Sequence, residues 1–193
     1  MKTPKKIFIT AFLVLLVQTS ITCTMQATNK TQTPKTKTTV KIVPDQIVKN
    51  IYGGAIADII FSPKEVKLYK LISNVEPSDN DMTIGGHKVE KELGKIPRDY
   101  YPILQFLLAD SCSYSDGMLI PAMPFSPTYA VEFSKKNNKV FLVFSFDNRE
   151  IAIVCNGIEL KRQQIRIPRK LMLFIKGLDD DNFLREQLKN AKQ

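Results

Sequence analysis

The chain has 193 residues, a formal net charge of +9 and no tryptophan. That length suits one ordinary domain around one core. The charge does not mark a nucleic-acid surface, because it is concentrated at one end. Residues 1–41 carry seven Lys and no acidic residue, whereas residues 42–193 carry 21 basic and 19 acidic side chains.

The first element is a targeting segment. Lys2, Lys5 and Lys6 precede an apolar run from Ile7 to Val17, and a small-polar patch follows from Gln18 to Thr22. This is the order of a secretory signal peptide. The run is shorter than the roughly 20 apolar residues that a spanning helix needs. Residues 1–22 are therefore expected to be removed from an exported protein.

Cys23 stands where that segment ends, and its setting resembles the lipidation site of bacterial lipoproteins. The resemblance implies cleavage just before Cys23 and a diacylglycerol on its thiol. Thr24, in place of Asp, then implies delivery to the outer membrane of a two-membrane bacterium. Membrane lipid is the partner implied, through an N-terminal acyl anchor. The alternative is an ordinary signal peptide cut near Thr22 or Ala27, which gives a secreted protein. Residues 24–41 hold seven Thr, four Lys and no acid. Such a segment buries too little apolar surface to fold, so residues 23–43 read as a disordered tether and residues 44–193 as a single globular domain.

Within the domain, Ile47, Val48, Ile51 and Tyr52 are spaced along one face of a short helix, which Gly53 and Gly54 end. Residues 55–61 are apolar and fit either a helix or a strand. Glu65 to Ile72 alternates as a strand with both faces partly covered. Val66 and Leu68 point one way, and Tyr69 and Leu71 the other. A polar loop spans 74–86, and a second short strand 87–93. A helix is expected from 98–101 to Asp110, with Pro102 in its first turn and Ile103, Leu104, Leu107 and Leu108 as its apolar face. It is expected to be the central core helix.

The run "TYAVEF", "VFLVFSF", "IAIVC" and "IELKRQQIRI", with short turns between, predicts an antiparallel meander. Asn156-Gly157 is its strongest hairpin signal. Pro168 opens a helix that Gly177 ends, and Asp179 to Asp181 cap a final helix over 182–192. The fold class expected is α+β: an antiparallel β-meander of about four to six strands, packed with a central helix and C-terminal helices. The stretch from Ile103 to Val154, with "PFSPTYAVEF" and "VFLVFSFDNREIAIV", resembles small exported bacterial domains and implies an envelope location.

Chemical motifs are sparse. His87 is the sole histidine, and a structural zinc site needs about four ligands. No metal or other cofactor is expected. Glu90 and Glu92 sit among lysines that pair with them, and no glycine stretch has phosphate-loop spacing. Cys112 and Cys155 read either as a disulfide in an oxidising compartment or as two buried thiols. Lys161, Arg162, Arg166, Arg169 and Lys170 form the domain's basic cluster. Without interleaved aromatics it is no base-stacking surface. It reads as the solvent face of a strand or as a patch for anions or phospholipid.

Candidate contact residues are Tyr114, Met118, Met123, Phe125 and Tyr129, around a proline-rich loop, with a lid over the core as the competing reading. The function expected is a non-enzymatic envelope lipoprotein or exported binding module that meets another envelope protein or a glycan. The alternative is a secreted enzyme, or an inhibitor of one, without a recognisable motif.

Overall fold

The computed structural model describes residues 41–115 and 124–180. Four helices and seven strands follow one another: α1 (Gln46–Tyr52), α2 (Gly54–Phe61), β1 (Glu65–Ile72), β2 (Thr83–Ile84), β3 (His87–Lys95), α3 (Tyr101–Ala109), β4 (Tyr129–Lys135), β5 (Asn138–Ser145), β6 (Glu150–Cys155), β7 (Ile158–Gln164) and α4 (Arg169–Asp179). All seven strands join one curled antiparallel sheet in the order β2-β3-β1-β4-β5-β6-β7.

The elements start and stop for local reasons. The Asp45 carboxylate accepts from Val48 N at 2.8 Å and caps α1. Gly53, at φ +82°, ends α1 and begins α2, a conformation that costs glycine nothing. Residues 55–61 thus resolve as helix. A 3-10 turn over Arg98–Tyr100 leads into α3, with Pro102 in the first turn. Asn156 and Gly157 both have positive φ, 52° and 78°, as a two-residue hairpin turn requires.

Strand alternation divides the sheet into two faces. On the first, Val66, Leu68, Val131, Phe133, Val140, Leu142, Phe144, Ile151 and Ile153 pack with buried residues of all four helices. This is the main core, and Phe133, Phe144, Leu104, Leu108 and Ile175 are among its fully buried members. On the second face Tyr69, Leu71, Ile84, Ala130, Val143, Ala152 and Val154 form a smaller cluster. The two-face reading of β1 therefore holds.

Several expectations need correction. The sheet has seven strands rather than four to six: the two early strands expected join the four of the meander, and β2 is the seventh. The short β2 also lies within the stretch expected to be a polar loop. The helix α3 is not central: it is nine residues long and shares the first face with three others. Gly177 lies inside α4, which runs on to Asp179. The Asp179 carboxylate accepts from Tyr129 Oη at 2.8 Å. The helix expected over 182–192, the signal segment, Cys23 and most of the tether lie outside the described residues. Ile42, assigned to the tether, packs against the main core. No helix among the described residues is long and apolar enough to cross a membrane.

Candidate functional site

The second face of the sheet brings aromatic and charged side chains together. Cross-strand pairing sets which residues share it. Ser145 pairs with Glu150 and Glu150 with Gln164, while Val143 pairs with Ala152 and Ala152 with Arg162. At the turn between β6 and β7 the register shifts. Val154 faces Glu159 and Ile153 faces Lys161, so Leu160 is the extra residue of a β-bulge. The bulge brings Glu159 and Arg162 onto one face, where strict alternation would separate them.

The segment ahead of β4 crosses this face. Asn148 Nδ2 donates to the Pro124 carbonyl at 2.9 Å, and Ser126 N donates to Ser145 Oγ at 3.3 Å. So held, Phe125 packs against the second cluster, where Ala130 and Ala152 project least. Arg162 lies over the Phe125 ring, its guanidinium carbon 4.1 Å from the centroid. It also donates twice to Glu159, from Nε at 3.0 Å and Nη2 at 2.9 Å. The His87 ring lies 5.5 Å from that of Phe125. The β2–β3 turn carries His87 there by closing over β6: a Cβ on Gly85 would stand 2.8 Å from Val154 Cγ2.

Burial shifts the protonation of two members. It lowers the His87 pKa from its ordinary 6.5; Glu159 opposes the shift and Arg162 adds to it. The imidazole is therefore held neutral to lower pH than usual. Burial raises the pKa of Glu150, which is 4 % exposed, and Arg162 opposes that. Among the described residues Glu150 Oε2 has no hydrogen-bond partner.

The far end of the face is organised by ion pairs. Tyr69 Oη donates to Glu132 Oε2 at 2.8 Å, and Lys139 pairs with the other oxygen at 3.0 Å. Glu132 is 3 % exposed. Glu90 and Glu92 are charge-paired, but with Lys70 and Lys67 of the facing strand β1 rather than with the lysines that flank them in the sequence.

Chemically, the site offers a half-buried aromatic ring flanked by a guanidinium and a neutral imidazole. Arg162 is charge-paired yet keeps its face on the ring, an arrangement suited to holding a planar or polar group. Among the described residues His87 makes no hydrogen bond to a carboxylate, and no three His, Cys, Asp or Glu gather as a metal site.

The candidate contact residues do not come together. Phe125 alone belongs to this face. Tyr114 is buried on the helical side, where its hydroxyl donates to the Leu108 carbonyl at 2.8 Å and lies 2.6 Å from Tyr52 Oη. Tyr129 is likewise buried, beside Phe146. Both belong to the core, so they are withdrawn as contact residues. Met118 and Met123 lie outside the described residues. Cys112 and Cys155 are free thiols, the first exposed and the second half-buried. Of the two readings, the bond is not made, and the thiols are free but Cys112 is not buried. Cys112 lies next to Ser113, whose carbonyl accepts from Arg166 N at the Glu150 end of β6. Cys155 ends that strand, roughly 15 Å further on at ~3.3 Å per residue, beyond disulfide reach.

His87, Glu150, Glu159 and Arg162 were not singled out from the sequence as one site. The turn signal at Asn156-Gly157 aligned β6 with β7, but a bulge leaves no compositional mark. No protein-family model, curated protein or solved structure matches the chain.

Proposed function

We propose that this chain is an exported protein of the cell envelope, anchored by an acylated Cys23, whose domain binds another envelope protein or a glycan without catalysing a reaction. The observation that carries the binding part is the Phe125 ring stacked under Arg162 and flanked by His87. Aromatic and Arg side chains are the types that anchor interfaces, and here Phe125 is half-buried and Arg162 exposed. The envelope address rests on the order of Lys2 to Lys6, the apolar run, Cys23 and the Thr- and Lys-rich segment after it.

Two measurements test the reading. The intact mass of the mature protein from its native host should show a chain beginning at Cys23 with a diacyl or triacyl increment. A bare chain starting at Thr24 or later would remove the anchor. Crosslinking in native membranes should recover a partner, and Phe125→Ala with Arg162→Ala should reduce that recovery while thermal unfolding stays cooperative. Equal recovery by the double variant would remove the binding face.

A second reading, a secreted enzyme or enzyme inhibitor, is favoured by Glu150: a buried carboxyl with one oxygen unpartnered and a raised pKa suits an acid. It requires an activity in substrate or inhibition screens that Glu150→Gln abolishes.

A further inference from the structure

The helical side of the domain presents a different surface. Ile103 and Phe106 on α3, Ile167 just ahead of α4, and Leu173 on α4 are 47 %, 64 %, 52 % and 58 % exposed. They are left outside because Leu104 and Leu108 of α3, and Leu171 and Ile175 of α4, already supply the buried stripes. Phe106 and Ile167 flank one small cavity, of about 50 Å³, together with Lys170.

This apolar edge has a cationic border. Arg166, Arg169 and Lys170 are exposed, and none takes part in a salt bridge among the described residues. Ile165 N donates to the Arg149 carbonyl at 2.7 Å, which brings a fourth basic residue alongside. None of three carboxylates on this side is ion-paired with them among the described residues: Asp110, which lines the same cavity as Lys170, accepts from Cys112 N and the Ser113 hydroxyl, Asp179 accepts from Tyr129, and Asp147 stands exposed in the β5–β6 turn.

Exposed large apolar side chains inside a border of cations that form no salt bridge among the described residues suit a partner that is apolar within and anionic at its surface. A bilayer rich in anionic phospholipid has that profile: basic residues meet the phosphates, and Phe106 and Ile167 enter the acyl boundary. We propose that this face, centred on Phe106, Ile167, Arg166, Arg169 and Lys170, docks the domain on an anionic phospholipid surface. The inference rests on the envelope reading, which places the domain within tether reach of a membrane, but it does not require the acyl anchor.

The absence of tryptophan makes a local test available in the full chain. Phe106→Trp installs a single reporter in the patch, and Val75→Trp, at a position 47 % exposed in the loop after β1, serves as the control. With phosphatidylglycerol vesicles carrying brominated acyl chains, Phe106→Trp emission should shift to the blue and be quenched, while Val75→Trp emission should not change. Phosphatidylcholine vesicles should have little effect on either. Adding Arg169→Glu and Lys170→Glu to Phe106→Trp should raise the lipid concentration at half-effect at least about tenfold.

No quenching of Phe106→Trp, or equal quenching at Val75→Trp, overturns the proposal. So does a response to soluble dextran sulfate without bromine quenching, which would assign the patch to an anionic polymer. The anchor is read separately, from intact mass. Quenching with no acyl increment sustains the docking face and removes the anchor, whereas an acyl increment without quenching does the reverse.

Discussion

Glu132, on β4, has its two oxygens divided between Tyr69 and Lys139. Tyr69→Phe leaves one of them buried without a donor, at a cost of about 1–3 kcal/mol in urea unfolding. Glu150 is the complementary case. Its folded pKa is raised above 4.5, so the fold favours the protonated form. The stability this contributes is full below the unfolded-state value, ~4.3, and is lost as pH rises through the raised value. Glu150→Gln should therefore be more stable than the wild type at about pH 7, and the advantage should disappear towards about pH 4. A difference that grows as pH falls would contradict the assignment. For His87 the sign reverses. Its pKa is lowered in the fold, so stability is full above about 6.5 and declines as pH falls through the folded value.

Between elements, the closest fit is the β2–β3 turn on β6. Gly85 has φ +59° and stands against Val154. Gly85→Ala should cost about 1–3 kcal/mol through overpacking, and Val154→Ala in the same chain should recover part of it. Purely additive losses in the double-mutant cycle would mean that the contact does not couple the two strands. At this scale much was legible beforehand. Alternation marked β1 and the four strands of the meander, and Pro102, Gly53 and Asn156-Gly157 placed a helix start, a helix break and a hairpin. What escaped depends on tertiary geometry. Nothing in "IELKRQQ" marks Leu160 as the bulge residue, yet the bulge unites Glu159 with Arg162. Tyr114 and Tyr129, read as contact residues from their loop setting, satisfy their hydroxyls inside the core. Composition does not encode which way a loop aromatic turns.

For the molecule as a whole, the two domain thiols report on the topology. Because Cys112 and Cys155 are free, non-reducing and reducing treatment should give the same intact mass once thiols are blocked. In the native state an aromatic disulfide reagent should label Cys112 faster than Cys155, and a mass loss of two hydrogens would show that a bond forms. The sheet order has a further consequence, in time rather than space. Strands β4 to β7 pair with their immediate neighbours in the chain, whereas β1, starting at Glu65, finds β4 only at Tyr129. Closing that long loop costs entropy before any contact offsets it. The meander is therefore expected to nucleate folding, with β1 and β3 adding to its edge afterwards. Leu142→Ala should then chiefly slow refolding, and Leu68→Ala should chiefly hasten unfolding. A nascent chain would carry β2, β3 and β1 paired with one another, but with the other edge of β1 open until β4 had been made. For that interval β1 is an open sheet edge, and a chaperone has reason to hold it.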